Sequence, residues 1–115
     1  MTKTVFKPWG SEEIWAHTDS YVGKILKIQH GHRLSLQYHK VKEESVRVLK
    51  GTLTLVLGQE TRTLRQGDTA HIPPTTIHRM EANHGEVHVL EVSTPELEDI
   101  VRLQDDYDRA AVSLL

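Results

Sequence analysis

The sequence contains no cysteine, so disulfide bonds and metal sites built from thiolates are excluded. It has no apolar run near the ~20 residues that a membrane span requires. It also lacks an apolar N-terminal segment typical of a signal peptide. Positive charge is not in excess, since the net charge is −2. The protein as a whole therefore has no electrostatic attraction for nucleic acid or for anionic membranes. We therefore expect a soluble, cytoplasmic protein without nucleic-acid or membrane partners.

Turn signals recur along the chain at intervals of roughly 8 to 12 residues, a spacing typical of an all-β sandwich or barrel. Apolar and polar residues alternate in several segments, most plainly at 52–55. The segment 95–109 is rich in Asp and Glu and is expected to form a short helical or irregular C-terminal tail. The length fits a single domain covering residues 1–115. The candidate strands are residues 12–16, 21–28, 33–39, 44–49, 52–57, 62–64, 69–72, 76–80 and 87–92.

Side chains with the chemistry of metal ligands lie in two patterns, each of which begins at a glycine. One pattern spans residues 31–51 and the other spans residues 67–78. Two imidazoles, a carboxamide and a carboxylate suit Zn²⁺, Mn²⁺, Fe²⁺, Co²⁺ or Ni²⁺, with positions left for water or substrate. The alternative is that these groups satisfy one another by hydrogen bonds without metal. The four candidate ligands are Gln37, His39, Glu44 and His78.

Strand alternation predicts where these ligands point. Ser35, Gln37 and His39 share one face of their strand, because side chains two residues apart lie on the same side. Glu44 shares its face with Val46 and with a second valine of the next strand, so it is expected to point inward. A buried carboxylate is costly unless it is paired or binds a cation. The pattern therefore predicts a polar cluster in the mouth of a small barrel.

The two glycine patterns resemble the signature motifs of the cupin superfamily, and three further segments narrow that resemblance. Residues 7–11 (Lys-Pro-Trp-Gly-Ser) look like the Pro-Trp-Gly start of the phosphomannose isomerase cupin domain. Residues 33–39 are similar to its Leu-Ser-Leu-Gln-x-His, and residues 100–109 to its Ile-Val-Arg…Asp-x-Tyr-Gly-Arg. The chain thus resembles stand-alone mannose-6-phosphate isomerase-like cupins and the C-terminal domain of the bifunctional type II enzymes.

This resemblance implies a double-stranded β-helix, or jelly-roll, barrel with a short C-terminal tail, and a homodimer. It also implies a metal-dependent isomerase that converts mannose 6-phosphate to fructose 6-phosphate by proton transfer through a metal-stabilised enediolate. Guanidinium and ammonium groups suit the phosphate of such a substrate. For the two arginines, the alternative is pairing with nearby aspartates of the tail. The candidate substrate contacts are Ser35, Lys42, Arg102 and Arg109.

An isomerase of this kind needs a group that removes a carbon-bound proton. Lys42, Glu43 and His71 are the candidate catalytic residues, and the sequence leaves the choice among them open. His71 is expected near the barrel mouth, since it precedes an Ile-Pro-Pro turn.

Other side chains are expected to have structural or solvent-facing positions. Arg79 is expected to belong to the ordinary charged surface, because it lies on the opposite strand face from His78. Trp9 and Trp15 are expected to pack in the core rather than stack on a sugar. The histidines expected to face solvent are His17, His30, His32, His84 and His88.

The sequence departs from the bifunctional enzymes at several positions of their motifs. Val41, Lys42 and Ser45 replace a histidine, an arginine and a histidine, and Asp108 replaces the glycine of the tail. Two other hypotheses therefore remain beside the isomerase. One is a metal cupin with another reaction, such as a different sugar isomerisation, an epimerisation or a dioxygenation. The other is a non-catalytic module that binds a sugar or a metal.

Overall fold

The computed structural model describes residues 2–109, in which strands are joined by turns and loops. Within this range, no helix is long and apolar enough to cross a membrane. The strands are β1 (Lys3–Lys7), β2 (Gly10–His17), β3 (Val22–Ile28), β4 (Leu36–Tyr38), β5 (Glu44–Lys50), β6 (Leu53–Leu57), β7 (Glu60–Leu64), β8 (Thr69–Ile72), β9 (His78–Glu81), β10 (Val87–Ser93) and β11 (Val101–Gln104).

The strands form two antiparallel sheets. One has the order β1-β2-β3-β10-β5-β8 and the other has the order β11-β4-β9-β6-β7. Strands that are far apart in the sequence pair with each other, as β3 does with β10 and β4 with β9. Each sheet therefore contains strands from both halves of the sequence. This architecture confirms the expected all-β jelly-roll class.

Alternation along the strands builds the core between the sheets. In β5, Val46 and Val48 are each 1% exposed, whereas Arg47 between them faces solvent. In β6, Leu53 and Leu55 are fully buried in the same way. Burying one such side chain stabilises the fold by about 1.5–3 kcal/mol. The core cluster draws residues from both sheets, so each sheet's inner face covers the other.

Two glycines bound the segment that carries three of the candidate ligands. Gly31 and Gly51 both have φ of +82°, a left-handed backbone that favours glycine. At Gly51 a Cβ would also lie 2.4 Å from the carbonyl oxygen of Glu86. Any side chain at Gly51 would therefore have to displace the backbone that leads into β10.

The C-terminal segment is more regular than its composition predicts. The expected helical or irregular tail contains a strand, β11, which pairs with β4 and places Arg102 opposite Gln37. The irregular tail is confirmed on both sides of β11, and the strand itself was missed because local polarity hides a strand whose partner lies more than 60 residues earlier in the chain. β1 was also missed, since its polar sequence shows no core-facing alternation.

Candidate metal centre

The inner surfaces of the two sheets line a cavity at one end of the barrel. Strands of the six-stranded sheet contribute Glu12, Lys24 and Glu91, and β4 contributes Gln37. His39, just after β4, also lines this cavity. The cavity surface is therefore strongly polar, although apolar core residues pack directly beneath it.

Three of the predicted ligands converge beside this cavity. His39, Glu44 and His78 each offer a ligand atom, and these atoms lie within 4.8 Å of one another. Their exposed fractions are 3%, 2% and 1%. Gln37 is paired with His78 across β4 and β9, and its Nε2 lies 3.5 Å from Nε2 of that histidine. The structure thus brings all four predicted ligands together.

Backbone carbonyls set the tautomers of both histidines. His39 Nδ1 lies 2.5 Å from the carbonyl oxygen of Asp99, and His78 Nδ1 lies 2.8 Å from that of Thr76. A carbonyl oxygen only accepts, so each Nδ1 must carry the proton and donate it. In the neutral ring, Nε2 then keeps its lone pair, as in histidines that bind metals. Burial lowers the pKa of His78, which favours this neutral form.

The closest contact in the cluster joins two acceptors. His39 Nε2 lies 2.9 Å from Oε2 of Glu44. Neither atom has a hydrogen-bond partner among residues 2–109, and both are buried. Two lone pairs at this distance repel each other. The ammonium of Lys42 lies 3.6 Å from Oε2 of Glu44, but the lone pair of His39 Nε2 has no donor or cation of its own among the described residues. One divalent cation would satisfy both atoms and His78 together, whereas a proton would satisfy one pair. The residues therefore fit a metal ion.

Gln37 is held by a neighbouring hydroxyl. Ser35 Oγ donates to Oε1 of Gln37 at 2.6 Å, and Ser35 is 1% exposed. Oxygen and nitrogen of a carboxamide exchange places by a half-turn, and a serine hydroxyl can either donate or accept. After that half-turn, Nε2 would donate to Ser35 and Oε1 would turn toward the histidines. Ser35, predicted as a substrate contact, thus lies where it orients the fourth ligand.

A chain of charges connects the ligands to the six-stranded sheet. Nζ of Lys42 lies 3.6 Å from Oε2 of Glu44 and 3.2 Å from Oε2 of Glu91. Burial raises the pKa of the Glu44 carboxyl, but the net shift is downward, through the hydrogen bond that His39 would donate in its protonated form and through the positive charge of Lys42. Burial likewise lowers the pKa of Lys42, and its two carboxylates raise it more. Glu44 is therefore ionised and Lys42 is protonated at neutral pH.

Glu91 is a site residue that the sequence reasoning missed. It is 5% exposed, lines the cavity, and its Oε2 has no properly aligned hydrogen-bond partner among the described residues. Burial and the negative charge of Glu44 raise its pKa, against the attraction of Lys42 and Lys24. A signal was present, because Glu91 follows Val87 and Val89 in the inward phase of β10.

The two arginines of the tail have different surroundings. Arg109 donates to both carboxylate oxygens of Asp105, at 2.8 and 3.0 Å, as the alternative interpretation expected. Within residues 2–109, Arg102 forms no ion pair, and its buried Nε has no hydrogen-bond partner. Both side chains line the cavity. Burial and the charge of Arg109 lower the pKa of Arg102, which leaves a guanidinium suited to an anion.

Two of the three candidate catalytic residues lie outside the cavity. Glu43 and His71 contact each other at 2.5 Å, and their side chains are 51% and 54% exposed. His71 pairs with Ser45 of β5 on the outward face, so its expected place at the barrel mouth was wrong. Lys42 lines the cavity. Because side chains alternate along an extended chain, Lys42 lies on the same inward side as Glu44, whereas Glu43 lies on the outward side. The sequence alone contained this distinction.

Of the remaining expectations for single residues, four are confirmed and four are corrected. Arg79, expected on the charged surface, is 5% exposed and donates to the carbonyl oxygens of Leu34 and Gln104. Trp9 is 3% exposed in the core, but Trp15 is 42% exposed and lies against Gly23, because it points outward from β2. His32 is half-buried and contacts the hydroxyl of Tyr107. The histidines that face solvent as expected are His17, His30 and His84, whereas His88 is half-buried.

The departures from the family motifs fall mostly outside the cavity. Val41 is 63% exposed and Ser45 also faces solvent, so neither change alters the cavity wall. Asp108 replaces a glycine and has φ of +60°, a conformation that aspartate tolerates better than most residues. Lys42 is the one of these four positions that lines the cavity.

Comparison with known proteins assigns the family. The model of the family described as mannose-6-phosphate isomerase C-terminal matches residues 1–105. This chain belongs to that family. The alginate biosynthesis protein AlgA of Pseudomonas aeruginosa is a curated relative, 32% identical over 112 residues, which are 93% of this chain and 23% of AlgA. The chain thus spans about a quarter of the length of the curated relatives it matches.

Solved structures share the fold of this chain. KdgF from a Halomonas species has a TM-score of 0.76 at 23% identity, covering 85% of this chain and 88% of that one. A sugar phosphate isomerase of the cupin superfamily from Silicibacter pomeroyi has a TM-score of 0.66 at 24% identity, covering 73% and 58%. At these identities the likeness establishes the cupin fold.

Proposed function

We propose that this chain is a metal-dependent isomerase that interconverts mannose 6-phosphate and fructose 6-phosphate. The observation that carries the proposal is the pair of facing acceptors, His39 Nε2 and Glu44 Oε2, in a centre completed by His78 and Gln37. The family description and the sugar phosphate isomerase among the structural neighbours support the substrate class.

The metal would be held by Gln37, His39, Glu44 and His78. When bound, a divalent ion supplies a Lewis acid that polarises an oxygen of the sugar. Arg102 offers an unpaired guanidinium at the cavity wall for the phosphate, whose binding energy orients the sugar.

Lys42 and Glu91 form the pair that we assign to proton transfer. Isomerisation moves the proton on C2 of mannose 6-phosphate to C1 and the proton of the C2 hydroxyl to the C1 oxygen, through an enediol in which both carbons carry oxygen. Glu91 would take the proton from carbon, since its raised pKa makes it a stronger base than an ordinary carboxylate. Lys42, held protonated between two carboxylates, would donate a hydrogen bond to the oxygen on which negative charge develops.

The test is a coupled assay of fructose 6-phosphate formation by metal-loaded protein. We expect Glu91→Gln to lower kcat by about 10²-fold or more, because general-base catalysis contributes 10²–10⁴-fold. Glu43→Gln is the matched control, since that carboxylate is solvent-exposed, and it should keep kcat within about twofold of wild type. Metal retention by Glu91→Gln must be measured in parallel.

Two results would contradict the proposal. Metal-loaded wild type that turns over no hexose phosphate would exclude the isomerase and favour a binding module. Equal loss of activity in Glu91→Gln and Glu43→Gln would exclude the assigned roles.

A further inference from the structure

Two charged side chains of the cavity wall lie outside the set of four candidate metal ligands. Glu12 on β2 and Lys24 on β3 form an ion pair, with Nζ of Lys24 3.0 Å from Oε1 of Glu12. Their side chains are 13% and 9% exposed, and both line the cavity. Neither is bonded to any of the four candidate ligands in the described range.

Folding does not explain why these charges are buried. Lys24 lies on the same strand as Val22 and Leu26, which are 0% and 2% exposed. The free energy needed to remove two charges from water is about as large as the free energy gained from their attraction. Replacing a buried ion pair by well-packed apolar residues therefore often leaves the stability of a protein unchanged or raises it. A buried ion pair in an otherwise apolar row is therefore better explained by what it binds.

The pair has hydrogen-bonding capacity to spare. An ammonium has three N–H donors and a carboxylate has about four acceptor positions. Among residues 2–109, the contact between Glu12 and Lys24 is the one ion pair that either makes, and neither side chain has a hydrogen bond to another group. Donors and acceptors thus stand side by side at one point of the cavity wall.

The net charge of the pair decides which ligand group it suits. Glu12 and Lys24 together are neutral, and Glu91 lies opposite Lys24 across β10 and β3, so the pair offers an anion no net attraction. Arg102 on β11 differs, because its guanidinium forms no ion pair among the described residues and its buried Nε has no hydrogen-bond partner there. A hydroxyl both donates and accepts, and it can bond the carboxylate and the ammonium at once. We propose that Glu12 and Lys24 form a hydroxyl-binding subsite for the sugar moiety of the ligand, separate from its anionic group.

This inference rests on the proposed function for the sugar phosphate class, and binding tests it apart from turnover. The double variant Glu12→Gln/Lys24→Met removes both charges, so neither is left unpaired. Affinities of zinc-loaded protein for mannose 6-phosphate and for inorganic phosphate would be measured by calorimetry. Hydrogen bonds to charged groups contribute enough for a loss of about tenfold to 100-fold. We expect that loss for mannose 6-phosphate and less than twofold change for inorganic phosphate.

The matched control is Glu13→Gln/Lys27→Met, which changes the outward-facing neighbours on the same two strands. It should leave both affinities unchanged. Thermal unfolding and zinc content verify that the double variant is folded and loaded. Unchanged affinity of the Glu12/Lys24 variant for mannose 6-phosphate would overturn the subsite, as would equal loss for both probes. A third result would separate the two proposals: wild type binds mannose 6-phosphate without turning it over, while the Glu12/Lys24 variant loses affinity for mannose 6-phosphate alone. That result would contradict the isomerase proposal and support the hydroxyl-binding subsite.

Discussion

Each histidine of the metal centre presents one defined lone pair, because its other ring nitrogen is committed to a backbone carbonyl. His39 is held by Asp99 and His78 by Thr76. The carbonyl that binds His39 lies in the tail, 60 residues later in the chain, whereas the carbonyl that binds His78 lies two residues before it. The imidazoles are thereby oriented before any metal arrives, which reduces the ordering that binding requires.

At this scale we expect His39→Ala and His78→Ala each to abolish metal retention. Each substitution removes one ligand of a four-ligand set in which His39, Glu44 and His78 are almost fully buried. Metal content of protein purified without an affinity tag would be measured by mass spectrometry after gel filtration. His84→Ala is the control, since His84 is solvent-exposed, and it should retain metal like wild type. Equal retention in all three variants would show that the ligand set is wrong.

Among the elements, the segment between β10 and β11 does most to shape the site. Asp99 accepts hydrogen bonds from the backbone N–H groups of Lys40, Val41 and Lys42, at 3.0, 2.7 and 2.9 Å. These three bonds lower the pKa of its carboxyl to about 2. The same residue therefore anchors the loop after β4 with its side chain and orients His39 with its carbonyl oxygen.

We expect Asp99→Ala to lower metal affinity by about 10- to 100-fold, the usual effect of losing a partner behind the ligands. The reason is that the loop carrying His39 and Lys42 loses three of its anchoring bonds. Affinity would be measured by competition with a chelator of known strength. Glu98→Ala, at an exposed neighbouring position, should bind metal as wild type does.

The difference in stability between wild type and Asp99→Ala should depend on pH, and this dependence tests the anchoring role of Asp99. The pKa of Asp99 is lower in the folded than in the unfolded state, so its ionised form stabilises the fold. That contribution should be complete above about pH 4 and lost as the pH falls toward about 2. Urea unfolding of metal-free protein should thus give a difference between wild type and Asp99→Ala that shrinks with acidity. A difference independent of pH would contradict the role.

Over the whole molecule, the candidate metal centre draws its residues from both sheets. Glu44 begins β5 in the six-stranded sheet, whereas Gln37 and His78 belong to β4 and β9 of the other. A bound ion would therefore link the sheets across the open end of the barrel. The homodimer expected from the family resemblance stays a prediction.

We expect removal of metal by a chelator to lower the melting temperature by about 10 °C or more. Metal at 100 times its Kd stabilises the folded state by about 2.7 kcal/mol, and each kcal/mol shifts Tm by roughly 4–8 °C in a small domain. Differential scanning calorimetry of wild type would measure the shift. His39→Ala, which should hold no metal, is the control and should not respond. A wild type that melts at the same temperature with and without chelator would count against a metal centre.

The sequence by itself determined the all-β class, the inward direction of Glu44 and the choice of four candidate ligands that the fold brings together, because alternation and glycine turns act between near neighbours in the chain. Tertiary structure decided what depends on distant segments. β11 forms because β4 offers a free edge, and its pairing brings Arg102 opposite Gln37. The lone pair of His39 depends on a carbonyl contributed by Asp99. Glu91 becomes part of the site because β10 lies between β3 and β5. Such pairings are selected by the packing of the whole barrel, which local periodicity does not encode.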